Sequence, residues 1–208
     1  MERLFEGVRR FYSRDFPLYR DLFEELGNSQ KPHTLFICCS DSRIDPALIT
    51  GTSPGELFTV RNVANFVPYY SDRNEFLSTT SSIEYAINAL EVSNIIVCGH
   101  SCCGGCKALF CKKSELKNLP HTRKWLKLAE NVLKNVERDP ELMKDSVKRE
   151  CKTEQLNIVE QMDHLLTYPF IKEKVDRNEL NILGWYYVIE TGEIFNYLKD
   201  KQTFIKIE

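Results

Sequence analysis

The residues of this 208-residue chain best suited to chemistry fall in two short runs. Cys39-Ser40-Asp41-Ser42-Arg43 closes one apolar stretch, and His100-Ser101-Cys102-Cys103-Gly104-Gly105 closes another. Thiolate sulfur and imidazole nitrogen are donors that Zn²⁺ prefers, and three protein ligands leave a fourth position open for catalysis. Cys39, His100 and Cys103 therefore form a candidate catalytic metal set. His100 and Cys103 stand three apart, which on the first turn of a helix faces them one way. Cys102, two from His100, is expected to point elsewhere. Two other readings stay open. Cys103-x-x-Cys106 matches a redox dithiol, and three of Cys39, Cys102, Cys103 and Cys106 with His100 could close a purely structural site.

Eight cysteines are many for this length, and five of them lie between positions 98 and 111. A secreted disulfide framework spreads its cysteines through a shorter, loop-rich chain, so clustering points to metal or thiol chemistry. Cys38, Cys98 and Cys111 read as small buried hydrophobes, Cys38 facing away from Cys39 because strand side chains alternate. A formal charge of −2 gives no electrostatic reason to expect nucleic acid or an anionic membrane as partner. No segment approaches the roughly 20 apolar residues of a membrane span. The first residues hold no signal-peptide core, and a cytoplasmic protein is expected.

The elements around these runs read as strand alternating with helix. His33 to Cys39 is a continuous apolar run of buried-strand length. Asp45-Pro46 then opens a short helix, as N-cap and first-turn proline. Glu56 to Arg61 reads as a second strand, and 76–90 as a helix with Phe76, Ile83, Ala86, Ile87 and Leu90 on one face. Asn94 to Cys98 is a third strand. Residues 112–180 read as charged and helical, with Trp125, Ala129, Val132, Leu133 and Val136 on one stripe and Ile158, Met162 and Leu165 on another. Leu180 to Ile189 and Ile194 to Leu198 read as strands joined in a hairpin at Thr191-Gly192. The fold class expected is α/β, a mostly parallel central sheet flanked by helices with a C-terminal β-hairpin. Residues 1–30 read as a helical arm of a single domain over 1–208. That arm is expected to pack on a partner subunit, although packing on its own core is equally allowed.

Cys39-x-Asp41-Ser42-Arg43 paired with His100-x-x-Cys103-Gly104-Gly105 resembles the signature of the β-class carbonic anhydrases. PGELFTVRNVAN (54–65), SSIEYAINAL (81–90) and GWYYVIETG (184–192) are similar to that family as well. The resemblance covers most of 30–110 and the C-terminal strand pair, while 112–180 adds little. It implies one Zn²⁺ per chain and reversible hydration of CO₂ to bicarbonate and a proton through zinc-bound hydroxide. Relatives using the same metal site hydrolyse CS₂ or carbonyl sulfide, and a non-catalytic zinc or thiol-sensing domain is the remaining alternative.

The resemblance also assigns roles. Asp41, as an acceptor, orients the attacking oxygen, and Arg43 keeps it ionised. Read alone, the same pair could be a turn cap and a surface ion pair. Gln30 matches a glutamine that donates to bicarbonate in plant-type members, and Phe58, Val63 and Tyr85 match the walls of the CO₂ pocket. Each could equally be ordinary surface or core, and some of the walls could come from a partner chain. A subgroup inhibited by bicarbonate carries a Trp, an Arg and a Tyr. Arg61 and Tyr187 match here, but Phe36 stands in place of the Trp, which favours the plant-type pattern and an open metal site. A homodimer or homotetramer is implied, with a small-molecule substrate and neither nucleic acid nor membrane as partner. Gly104 and Gly105 read as letting backbone approach a thiolate, or as helix–sheet packing. His33, His121 and His164 are left without a role.

Overall fold

The computed structural model describes residues 1–71 and 76–208 and divides into two compact units, 1–31 and 32–208. The first unit is helical from Glu2 to Leu26. Helix α1 (Glu2–Arg10) runs into a wider turn over Phe11–Asp15 and a tighter one over Phe16–Tyr19, and α2 (Arg20–Leu26) completes it. Pro17 lacks the N–H that a continuous helix would need there, which accounts for the break. Phe16 stacks on Phe23, ring centroids 5.4 Å apart, while Leu4, Val8 and Leu18 remain exposed.

The second unit is built on a six-stranded sheet ordered β2-β1-β3-β4-β5-β6. Strands β1 (Thr34–Cys39), β2 (Leu57–Asn62), β3 (Asn94–His100) and β4 (Asn181–Tyr187) run parallel. Strands β5 (Ile194–Leu198) and β6 (Thr203–Lys206) continue antiparallel, so one strand follows the expected hairpin. Side-chain alternation divides the central strands between two faces. Leu35, Ile37, Ile95 and Val97 join one buried cluster, and Phe36, Cys38, Ile96 and Cys98 another.

Short helices punctuate the first crossovers. In α3 (Pro46–Thr50), Asp45 caps the Ala47 and Leu48 N–H groups and Gly51 closes the helix at φ +65°. Helix α4 (Leu77–Asn88) buries Ile83, Ala86 and Ile87, and α5 (Gly104–Lys107) follows β3 directly. Then come α6 (Pro120–Trp125), α7 (Glu130–Glu137), α8 (Pro140–Lys144), the long α9 (Ser146–Leu165) and α10 (Pro169–Asp176). Of the expected stripes, Ala129, Val132, Val136, Ile158 and Leu165 are buried.

Helix α9 crosses β3 and β4 at two glycines. A Cβ on Gly99 would stand 2.7 Å from Ile158 Cγ1, and one on Gly184 would stand 2.9 Å from Ile158 Cγ2. Only residues without a side chain let the helix lie this close. The same helix carries Glu154, Asn157 and Gln161 on a buried face.

Candidate metal centre

Two adjacent parallel strands carry the donors to one end of the sheet. β1 and β3 pair in register through Cys38 and Cys98; Cys39 is the next residue on one strand, and His100 two further on the other. Carboxyl ends of adjacent parallel strands are where open α/β sheets hold ligands. Cys103 arrives by a different route from the one its spacing suggests. His100 is the last residue of β3, and Cys103, in extended conformation, precedes α5. Cys102 between them adopts φ +57°. A left-handed step, not a helical turn, brings His100 and Cys103 onto the same site, because the chain must reverse immediately at the strand end.

The three donor atoms all lie within 4.8 Å of one another, and all three residues are buried. Tetrahedral zinc with these ligand types would separate its donors by about 3.6 Å. His100 Nδ1 lies 2.9 Å from the Ser101 carbonyl. A carbonyl only accepts, so Nδ1 carries the proton and Nε2 presents its lone pair. That Nε2 is buried and has no hydrogen-bond partner among the described residues. A buried polar atom without a partner is costly unless something fills the place, and a cation would. The Cys39 thiol is pushed up to about 12, first by its bond to Cys103 and then by burial. Cys103 is raised too, chiefly through Cys106. Two thiolates this close need a positive charge between them, so the donor set fits zinc.

Asp41 stands beside this set without belonging to it. Arg43 grips it bidentately, Nε to Oδ1 at 2.9 Å and Nη2 to Oδ2 at 2.7 Å, and the Arg43 N–H adds a bond of 3.0 Å. The guanidinium holds the Asp41 carboxyl well below the usual carboxylate range. Arg43 also donates to the Cys102 carbonyl at 3.2 Å. Arg61 braces the same loop by donating to the Cys39 and Asp41 carbonyls, at 3.3 and 2.8 Å. Across the loop, Ser101 Oγ donates to Glu190 at 2.9 Å.

The remaining expected residues fall in several places. Val63 adjoins Ala64, whose N–H donates to Cys39 Sγ at 3.4 Å. It also lines a cavity of about 640 Å³ with Arg61, Phe76, His121 and Trp125. Phe58 and Tyr85 pack on each other at 6.0 Å. Phe58 pairs with Leu35, four residues back from the Cys39–Asn62 row, a distance of roughly 13 Å along the strand. Phe58 and Tyr85 therefore do not line the cavity that Val63 lines. Gln30 is exposed in the first unit. Phe36 packs edge-on against Trp185 at 6.0 Å, in the cluster that also takes Tyr187. Cys111 is exposed rather than buried, because it follows a single tight turn that carries it out of the core. His164 is structural: it is buried, with Nδ1 2.6 Å from the Val67 carbonyl and Nε2 3.2 Å from Glu160.

The two glycines after Cys103 separate clearly. A Cβ on Gly104 would meet nothing, whereas one on Gly105 would stand 2.7 Å from Ala64 Cβ. Reading the sequence did not single out Ala64, Glu154 or Asn157. Their one visible signal was polar residues at 154, 157 and 161, a helical spacing that places them on a single face.

A family model described as "Carbonic anhydrase" matches residues 34–194. A carbonic anhydrase of Helicobacter pylori (strain J99) is 42% identical over 206 residues, covering 98% of this chain and 93% of the relative. Among solved structures, the β-carbonic anhydrase CcaA superposes with TM-score 0.94 at 40% identity, covering 100% of this chain and 99% of its own. A tetrameric β-carbonic anhydrase of Sordaria macrospora gives TM-score 0.80 at 29% identity, covering 94% and 95%.

Proposed function

Because the chain belongs to the β-carbonic anhydrase family, we propose how its own residues carry out the reversible hydration of CO₂ to bicarbonate and a proton. Cys39, His100 and Cys103 would hold one Zn²⁺. When bound, zinc lowers the pKa of a water at its open position toward neutrality and so supplies hydroxide. The observation that carries this reading is the buried, unpartnered His100 Nε2 sharing one small volume with two sulfurs.

Asp41 is the orienting acceptor. Each carboxylate oxygen has more than one lone pair, so a bond to Arg43 leaves room to accept from the attacking O–H. Held that way, the oxygen turns its free lone pair toward the carbon of CO₂. Arg43 cannot lose its charge at working pH, and its fork fixes both oxygens of Asp41. That both oxygens are held and Asp41 lies outside the donor group supports an open site at neutral pH, as does Phe36 in place of a Trp. A neutral-pH crystal with Asp41 on the metal would contradict this.

Gln30 is assigned to bicarbonate, and Phe58, Val63 and Tyr85 to the apolar wall that CO₂ requires. The separation of Phe58 from Cys39 along β2 supports a site shared between copies, each lending its wall to the other. We therefore infer a homodimer or homotetramer in which the arm of residues 1–30 packs on its partner. Eight cysteines without a disulfide suit a reducing compartment, and the cytoplasm is the location inferred. Among the described residues no helix is long and apolar enough to cross a membrane.

Stopped-flow CO₂ hydration by zinc-loaded protein, beside Asp41→Asn, tests the mechanism. Asparagine keeps the shape but donates where an acceptor is needed, and a loss of about a hundredfold or more in kcat is expected. Equal rates for the two proteins, or no turnover by the unaltered enzyme with zinc bound, would overturn it.

A further inference from the structure

The turn that touches Cys39 is irregular, and it is held from beneath by helix α9. Ala64 and Asn65 both adopt left-handed backbone, at φ 61° and 51°. Two consecutive residues with side chains persist there only where their surroundings over-determine them. The surroundings are named polar groups. Asn157 Nδ2 donates to the Ala64 carbonyl at 3.0 Å, and its Oδ1 accepts from Gln161 Nε2 at 3.0 Å. Gln161 Oε1 in turn accepts from the Val67 N–H at 2.7 Å. One turn back, Glu154 accepts from the Cys103 N–H at 2.8 Å and from Tyr186 Oη at 2.8 Å.

Asn157 and Gln161 are both 0% exposed and Glu154 is 2% exposed. Polar groups this deep need partners, and two of those partners, the Ala64 carbonyl and the Cys103 N–H, belong to segments that touch or carry the metal ligands. The Ala64 carbonyl and the Ala64 N–H flank the same residue. The two groups lie in successive peptide planes joined through the dihedrals of Ala64, so with that residue held at φ 61° and ψ 27° an anchored carbonyl restrains the N–H, which donates to Cys39 Sγ at 3.4 Å. A hydrogen bond to a thiolate draws electron density from sulfur, so less reaches the metal. A site with two thiolates gains from that, because strong donation would make the activated water harder to ionise.

We propose that Asn157, braced by Gln161, is a positioning residue for the Cys39 thiolate, keeping the Ala64 N–H aimed at its sulfur. The inference rests on the assignment of Cys39 as a metal ligand. It assigns Asn157 no contact with substrate; it acts through the turn.

Cobalt substitution reads the sulfur directly, through its thiolate-to-metal charge-transfer band, and the zinc form gives rate and metal retention. Asn157→Asp is nearly isosteric but sets a carboxylate oxygen against the Ala64 carbonyl, which breaks the bond. The expected results are a charge-transfer band at longer wavelength and a midpoint of kcat/KM against pH moved upward. Zinc release to a chelator should be faster by about 10–100-fold. Ile171→Val, in the buried core of α10, lowers stability without touching the turn and should leave band and midpoint where they were. If Asn157→Asp does not fold, Asn157→Ser, too short to reach the carbonyl, is read the same way. A normal thiolate band in the unaltered protein that neither variant shifts would overturn the positioning role alone. The same holds if Ile171→Val shifts it equally. No thiolate band in the unaltered cobalt protein would instead overturn the metal assignment beneath it.

Discussion

Adjacent glycines at 104 and 105 should respond to the same substitution with opposite signs. Gly105→Ala adds a Cβ that would lie 2.7 Å from Ala64 Cβ, 3.0 Å from Val63 Cγ1 and 3.3 Å from the Ala64 nitrogen. Ala64 Cβ is fixed to the backbone and cannot rotate aside, so the turn itself must move. Overpacking of this kind costs about 1–3 kcal/mol. The lost freedom of the unfolded chain returns about 0.4–1 kcal/mol. The remainder centres on a destabilisation of about 1.3 kcal/mol, a fall in Tm of roughly 3–5 °C for a domain of this size. Gly104→Ala meets nothing within 4 Å. It should be neutral or raise Tm by roughly 1–4 °C. Differential scanning calorimetry of the two zinc-loaded variants checks the sign, and zinc content after dialysis checks the site. Gly105→Ala should also hold its metal less tightly, because the displaced turn carries the N–H that reaches Cys39. Equal Tm changes for the two variants would refute the argument from close approach.

Stripping the metal with a chelator should lower Tm, since it leaves the buried His100 Nε2 without a partner and two thiols crowded together; an unchanged melting curve would argue against the site. Tyr168→Phe removes a donor 2.9 Å from the Pro68 carbonyl in a fully packed position. It should cost about 1–3 kcal/mol by urea unfolding, and a change within error would mean that carbonyl finds another donor. Asp145 caps α9 through the Val147 and Lys148 N–H groups, and the Lys148 N–H foremost holds its carboxyl below the usual range. A depressed carboxylate stabilises above its unfolded pKa of about 3.9, and that contribution is lost as pH falls through the lower folded value. Asp145→Ala should therefore flatten the acid side of the stability profile, measured by urea unfolding from pH 5 downward. A profile as steep as that of the unaltered protein would remove Asp145 from the account.

Much of the framework was legible in the residues. An apolar run the length of a strand, ending in Cys39-x-Asp41-Ser42-Arg43, announced both a buried parallel strand and the chemistry at its tip. Asp45-Pro46 announced the helix after it, because capping and proline geometry are local. What depended on distant partners was not legible. The spacing of His100 and Cys103 suggested a helical turn, but the reversal is made by a left-handed Cys102, a conformation that its residue type does not favour. Cys111 read as core and is exposed, since burial depends on where a turn leaves the chain. Gly105 could be seen as permissive, yet only the fold shows Ala64 against it. The same holds for Asn157 and Gln161, whose spacing on α9 marked a common face without saying what the face meets. The sequence by itself determined the donor types, the strands that end in them and the local caps, because each is written within a few neighbouring residues. Only the tertiary structure decided which backbone groups press on the donors and what braces them, because those contacts join residues 25 to 94 positions apart, with geometry that exists only once sheet and helix have packed.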